Sequence, residues 1–313
     1  MSHISAVIPL LNEEKIVSEL ITRVDFNLKK ICNDYEIIIV DDGSTDSTWK
    51  VITAEGLKNN KISGIRFSRN FGHHYAITAG ISETKSDWVI VMDGDLQDRP
   101  EVIPDLYIKA QEGFDVVFVN RISRRESTFY IFAQKVFYKI LNALSGLKFN
   151  HQQANFSIIS KKVVDAHRLF GESARFYGST IKWLGFSTSS VDAHHGERFA
   201  GKPSYTIKKR IKLALDIIIS FSERPLKFAI SLGLIFSALS LIFAIWIVYK
   251  AYFSEFSVLG WPSIIFSIFF TSGISLTILG IIGLYMGRIH SQVKQRPLYI
   301  VESRLGFKDN LGK

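Results

Sequence analysis

Two stretches of this chain, residues 228–249 and 263–287, contain no Asp, Glu, Lys or Arg. Nothing else in the sequence restricts the fold as strongly. A helix of ~20 apolar residues crosses a bilayer core, and uncharged runs of that length are rare in soluble cores. The segment between them carries only Lys250 and Glu255, whereas Lys and Arg are dense before the first run and after the second. That asymmetry orients a two-helix transmembrane hairpin over 226–287 with its short loop outside and both termini in the cytoplasm. Composition agrees: 47% of residues are hydrophobic and the mean hydropathy is +0.16, high for a soluble enzyme with this many charges.

The part before the hairpin has a different rhythm. Short apolar runs at 4–10, 35–40, 62–67, 88–92, 114–119 and 155–160 alternate with segments of helical periodicity. The first such helix carries Ile16, Val17, Leu20, Ile21, Val24, Leu28 and Ile31 on one face, with Asn12 as its N-cap and Glu13 and Glu14 in its first turn. Strands alternating with helices predict an α/β domain with a mostly parallel, Rossmann-like sheet over 1–205. Residues 191–195 read as an antiparallel edge strand. Residues 129–144 form a helix that either packs on the core or lies at a membrane surface. No basic region followed by an apolar segment opens the chain, so no signal peptide is expected. The single cysteine, Cys32, excludes an intrachain disulfide.

Parallel sheets bind ligands beyond the carboxyl ends of their strands, and acids collect there. The run 88–92 ends in Asp93-Gly94-Asp95, with Gln97 close behind, and the run 35–40 ends in Asp41-Asp42-Gly43. By itself Asp-x-Asp also describes a solvated turn. Gathered at one edge with Asn12, these acids suit a nucleotide whose diphosphate shares a hard divalent cation, Mg2+ or Mn2+, with Asp95, alone or together with Asp93. Asp41 and Asp42 can accept hydrogen bonds from a base and a ribose. A P-loop pattern is absent, as is G-x-G-x-x-G after the first strand, which argues against a P-loop phosphotransferase and a dinucleotide oxidoreductase. Adjacent histidines at 73–74 and 194–195 point to opposite sides and lack a third ligand at zinc spacing.

Net charge is +9 with a pI near 9.4, which favours anionic partners. The positive charge concentrates in Arg198, Lys202, Lys208, Lys209, Arg210 and Lys212, directly ahead of the first apolar run. Placed there, a basic cluster attracts anionic lipid headgroups at roughly 1 kcal/mol per residue, so a membrane rather than nucleic acid is the expected partner. Residues 206–225 read as a juxtamembrane amphipathic helix and 288–313 as a cytoplasmic tail.

Taken in order, the strand leading into PLLNEE, the VDDGSTDST turn, RNFG, MDGDLQDRPE and the R-x-x-G-x-x-S loop at Arg198–Ser204 resemble the polyprenyl-phosphate glycosyltransferases. That group includes bactoprenol glucosyltransferases and dolichol-phosphate mannose synthases, inverting enzymes of glycosyltransferase family 2. The resemblance spans essentially the whole chain. It implies a GT-A fold, a nucleotide-sugar donor, a divalent metal, a polyprenyl (undecaprenyl) phosphate acceptor at the inner membrane, a role in cell-envelope glycan or lipopolysaccharide modification, and homo-oligomers. UDP-glucose is the donor the most similar-looking relatives suggest; mannosyl or amino-sugar transfer is the alternative. Carried over, Pro9, Asn12, Glu13, Asp41, Asp42, Asn70 and Gln97 hold the nucleotide sugar. Asp93 and Asp95 serve metal and donor sugar, while Arg121, Arg198, Lys202 and Ser204 engage diphosphate or acceptor phosphate.

Two positions depart from that pattern. Where an acid is expected before the Phe of a D-F-R-L-like strand, this chain has Asn155-Phe156-Ser157-Ile158, and His73 follows RNFG where Lys is common. Loss of the acid raises the alternative of a catalytically silent membrane scaffold. A phosphate monoester has a second pKa near ~6, however, so the acceptor is already mostly a dianion and needs positioning rather than a base. Asn155 therefore stays among the expected catalytic residues with Asp93, Asp95 and Arg198.

Overall fold

The structure is a computed structural model that describes residues 3–122, 128–146, 153–172, 176–194, 216–220, 222–253 and 260–307. The chain divides into two compact units. One comprises Met1–Ile140, Leu147–Ile207 and Arg296–Lys313, the other Leu141–Gly146 and Lys208–Gln295.

The first unit is built on an eight-stranded sheet in the order β7-β5-β6-β4-β1-β2-β3-β8. Strands β1 (Ile4–Leu10), β2 (Tyr35–Asp41), β3 (Ile62–Phe67) and β4 (Trp88–Val91) pair in parallel. Beyond them, β6 (Gln153–Ser160) runs antiparallel to both β4 and β5 (Val116–Ile122). The edge strand β7 (Thr188–His194) is parallel to β5 rather than antiparallel as the sequence suggests. The reversed β6 lies between β4 and β5, an arrangement no local pattern encodes. Six strands thus share one direction, opposed by β6 and by β8 (Val301–Leu305), which pairs antiparallel with β3.

The apolar runs are continuous rather than alternating because both sheet faces are covered. Along β2, Ile37 and Ile39 enter one core cluster and Ile38 and Val40 the other, as the two-residue period of a strand dictates. Helix α1 (Val17–Ile31) seals the first face with Val17, Leu20, Ile21, Val24 and Leu28. On the same face lies α4 (Ile103–Gln111), with Ile103 and Leu106 in the cluster. Helices α3 (His73–Glu83), α6 (Lys161–Leu169) and α7 (Tyr177–Trp183) cover the other, with Ile77, Val163 and Ile181 buried. Between these in sequence run α2 (Thr48–Lys58) and α5 (Thr128–Ser145).

Asn12 does not cap α1. The helix begins at Val17, and Asn12 takes a left-handed backbone with φ 56°. Its Oδ1 accepts from the Thr45 amide at 2.9 Å and its own amide donates to Ser44 Oγ at 2.9 Å. The Glu13 amide donates to Thr48 Oγ1, and Glu14 accepts from the Ser47 amide. The segment after β1 is therefore zipped to the turn after β2, and these side-chain-to-backbone bonds compete with helical capping.

The second unit holds the long helices α8 (Arg224–Phe253) and α9 (Trp261–Val293), whose Phe236 and Phe270 rings lie 5.4 Å apart. Among the described residues one helical stretch, Ser267–Val293, is long and apolar enough to cross a membrane, and none of its most apolar window is buried. After α9 the chain returns to the sheet as β8, a strand that the reading of 288–313 as a tail does not anticipate.

Candidate active site

Parallel pairing brings the ends of β1 to β4 to one edge, and the antiparallel β6 starts there, so residues far apart in sequence meet. Gly94 shows how closely. A Cβ on it would stand 2.0 Å from Leu10 Cδ2 and 3.1 Å from the Pro9 carbonyl, so the Asp93–Asp95 turn lies directly against the end of β1, where buried Pro9 sits. Gly43, at φ 72°, plays the same part next door: a Cβ there would collide with the Arg69 backbone at 2.3 Å.

The first acid pair is buried and tied to backbone. Asp41 is fully buried, and its Oδ1 accepts from the Ser44 amide at 2.9 Å. Its Oδ2 has no hydrogen-bond partner among the described residues and lies 3.6 Å from Arg66 Nε. The carboxylate of Asp42 accepts from the amides of Phe71 at 2.8 Å and Gly72 at 3.0 Å. Asp42 thus fixes the RNFG loop, where Asn70 is exposed, and the entry to α3. Burial raises both carboxyl pKa values, against the lowering effect of these hydrogen bonds.

In the second pair, Asp93 lies between two basic side chains. His73 Nε2 lies 3.0 Å from Asp93 Oδ1, and Arg121 Nη2 lies 3.6 Å from Asp93 Oδ2. Burial alone would raise the Asp93 pKa; His73, through its charge and close contact, and then Arg121 outweigh it and bring it down to about 2. Conversely, burial disfavours the His73 cation, but Asp93, Asp42 and Asp95 together raise its pKa. Behind it, His74 is pushed down to about 4 by burial and by the His73 charge, and its Nδ1 faces the Tyr177 amide at 3.4 Å. The two adjacent histidines therefore differ: the pKa of His73 is shifted up and that of His74 down.

Arg121 is oriented from behind. Asp98, 3% exposed, takes its Nε and Nη2 at 3.1 and 2.9 Å in a bidentate pair, which fixes the guanidinium plane. Asp95 is half-buried, with Oδ1 accepting from the Gln97 amide at 3.1 Å. Asn155, at the start of β6, places Nδ2 3.5 Å from His73 Nε2. Ser157, which occupies the position of the expected Arg, is fully buried and bonded to the Tyr177 hydroxyl at 2.7 Å.

Among the described residues no three His, Cys, Asp or Glu side chains form a ready-made metal cage. A cation at this edge would take most of its ligands from substrate oxygens and water, the habit of Mg2+ and its congeners. The hard carboxylate of Asp95 fits that role, whereas Asp93 already faces two cationic groups.

The edge therefore gathers Pro9, Asn12, Glu13, Asp41, Asp42, Asn70, Asp93, Asp95, Gln97, Arg121 and Asn155. Arg198, Lys202 and Ser204 lie outside the described residues. Reading the sequence did not single out Asp98 or Arg66. Asp98 looks like one more acid in DLQD, and Arg66 is a lone charge in an apolar strand, a signal that a buried carboxylate lies opposite.

Residues 5–168 match the model of Glycosyl transferase family 2. The chain is similar to a Bactoprenol glucosyl transferase of Shigella phage SfX, 34% identical over 304 residues that cover 96% of this chain and 99% of that one. An Uncharacterized glycosyltransferase YkcC of Bacillus subtilis is 35% identical over 97% of this chain and 95% of its own. In fold, the chain resembles glucosyl-3-phosphoglycerate synthase from Mycobacterium tuberculosis, solved with Mn2+, uridine-diphosphate and phosphoglyceric acid. The TM-score is 0.51 at 20% identity, over 70% of this chain and 76% of that one.

Proposed function

Since the chain belongs to glycosyl transferase family 2 and is a glycosyltransferase with a GT-A-like α/β fold, we propose that it moves a hexose from a nucleotide sugar to polyprenyl phosphate, with inversion. The observation that carries this reading is the joining of an acid-lined sheet edge to long apolar helices in a single chain. Its full-length relatives named bactoprenol glucosyl transferases favour a bactoprenol-type acceptor and glucose as the sugar. UDP is the proposed nucleotide, in keeping with the UDP held by the synthase that shares the fold.

An oxygen of the lipid phosphate attacks the anomeric carbon as the bond to the nucleoside diphosphate breaks, and the electron pair departs on the diphosphate. The segment after β1 and the turn after β2 receive the nucleoside, with Asp41 turned to the base. Asp93 remains ionised at neutral pH and accepts from donor-sugar hydroxyls, kept in place by His73 and Arg121. Asp95 would hold Mg2+ or Mn2+, which when bound supplies counter-charge to the departing diphosphate. Asn155 stands on the far side of the sugar and orients the acceptor without taking a proton, because the phosphate dianion needs none removed. Arg198, Lys202 and Ser204 are assigned to the phosphates, where they offset the charge of two anionic substrates.

Both α8 and α9 are assigned to the membrane as a hairpin. Phe228, Leu234, Ile235, Leu239 and Ile242 on α8 are exposed, as are Phe269, Leu276 and Leu279 on α9, and lipid or a second copy of the chain would cover them. The charge asymmetry around the helices supports a cytoplasmic catalytic unit, and the inner membrane is the proposed location.

The test is to incubate the purified full chain with undecaprenyl phosphate, Mg2+ or Mn2+, and a panel of labelled nucleotide sugars. A lipid-linked hexose, formed most rapidly from UDP-glucose, is expected. No lipid-linked product from any donor would overturn the assignment in favour of a silent scaffold.

A further inference from the structure

The strand that follows the apolar helix reaches the same edge as Asp41. The β8 register sets Arg66 opposite Ser303 and Phe67 opposite Val301, with an irregularity between Arg66 and Phe67. Just before it, the Ser68 amide donates to the Ile300 carbonyl at 3.0 Å, and Tyr299 stacks on Phe67 with centroids 4.9 Å apart. Arg304 pairs with Glu83 at 2.8 Å, and Gly306 turns at φ 77° where a Cβ would meet the Ile62 carbonyl at 2.8 Å. The segment is thus built into the unit as the cover of an otherwise open sheet edge.

One of its side chains does more than cover. Arg66 Nε stands 3.3 Å from Glu302 Oε2 and 3.6 Å from Asp41 Oδ2, between an acid of the C-terminal strand and the buried acid of the β2 turn. Arg66 Nη2 also reaches the Ser44 carbonyl at 3.5 Å. Among the described residues neither Arg66 Nε nor Asp41 Oδ2 has an aligned hydrogen bond, although Asp41 is fully buried. A buried oxygen left unpaired is costly and is placed to be completed by a ligand donor. A guanidinium that belonged wholly to Asp41 would occupy that oxygen.

We propose that Glu302 is a positioning residue for the nucleotide: it shares Arg66 with Asp41 and so keeps Asp41 Oδ2 open to an N–H donor of the base. This rests on the reading above that the edge receives a nucleotide. It gives the segment after the membrane helix a part in donor recognition, acting through Arg66.

The experiment uses the full-length protein in detergent and measures UDP binding by calorimetry, together with KM and kcat for UDP-glucose. Four forms are compared: wild type, Glu302→Ala, Glu302→Asp and Glu83→Gln, which removes the Arg304 anchor of β8 without touching Arg66. A half-exposed ion pair of this kind contributes modestly, because solvent screens it. Glu302→Ala is therefore expected to weaken UDP binding and raise KM by about three- to fivefold with kcat little changed. Glu302→Asp restores most of the loss, and Glu83→Gln stays close to wild type. Equal UDP affinity in wild type and Glu302→Ala overturns the inference alone. An equal loss in Glu83→Gln overturns it in favour of simple strand anchoring. Absence of UDP binding by wild type overturns the reading of the edge and this inference with it.

Discussion

The two acid pairs at the sheet edge look alike in sequence and behave oppositely in the structure. Asp41-Asp42 and Asp93-Gly94-Asp95 both end an apolar strand and both lie beside a glycine that allows close approach. Burial governs the first pair: backbone amides hold it, and the pKa of each carboxyl rises. Charge governs Asp93 in the second, since His73 and Arg121 outweigh the unfavourable burial there. One edge therefore contains a pair tied to loop backbone, with one Asp41 oxygen unpaired among the described residues, and a pair in which Asp93 is held ionised by its cationic neighbours. The difference comes from what faces each acid, which Asp-Asp or Asp-x-Asp in a sequence does not reveal.

That contrast breaks most sharply at Asp95. Asp95→Ala is expected to lower turnover by about 10³ or more, the scale on which charge stabilisation contributes to catalysis, with an unchanged melting temperature; retained activity would remove Asp95 from the metal role. The next largest effect belongs to His73. His73→Ala leaves Asp93 without its nearest cation and should cost about tenfold in kcat/KM, the equivalent of about one pKa unit. His73→Lys, which restores a cation, should recover much of it. If His73→Lys recovers nothing, charge is not what His73 supplies.

On the other side of the comparison the effects fall on stability. Asp42→Ala removes the acceptor for two amides and is expected to destabilise by about 1–3 kcal/mol, read by denaturant unfolding of the full chain. The smallest effect is at Asp41. Its pKa is raised on folding, so the folded state binds a proton more readily than the unfolded one, and Asp41 contributes more to stability as pH falls. The contribution is complete below the unfolded value and lost as pH rises through the folded one. Asp41→Asn removes a contribution that grows as pH falls, so the variant should lose more stability than wild type on mild acidification while costing little at pH 7. A smaller acid loss in the variant than in wild type would reverse the sign assigned here.

Much of the first unit was legible because local pattern and tertiary role agree. The runs that became β1 and β3 match the observed strands to the residue, since two covered faces demand unbroken apolar sequence. The strand directions were less legible. Nothing in residues 188–194 encodes that β7 pairs with β5 in parallel, because that depends on β6 inserting beside β4. Asn12 has the chemistry of an N-cap and was read as one; its bonds go to Ser44 and Thr45, a contact made across the edge. The site residues at strand ends were visible as acids following apolar runs, but their partners Asp98, Arg66 and Glu302 were not, since ion pairs over long sequence separations leave no periodic trace. The strand β8 has no sequence signal for a related reason: a short segment after a long apolar helix looks like a tail until its edge partner is known.

We propose that Asp41 reads the nucleoside and Asp95 the diphosphate with its metal. Calorimetry of UMP and UDP, each with and without Mn2+, on wild type, Asp41→Asn and Asp95→Ala separates these roles. Asp41→Asn should weaken UMP and UDP alike, whether or not Mn2+ is present. Asp95→Ala should leave UMP unchanged and remove only the Mn2+-dependent gain in UDP affinity. If Asp95→Ala weakens UMP as much as UDP, or Asp41→Asn loses only the Mn2+-dependent part, the division of labour between the two pairs is contradicted.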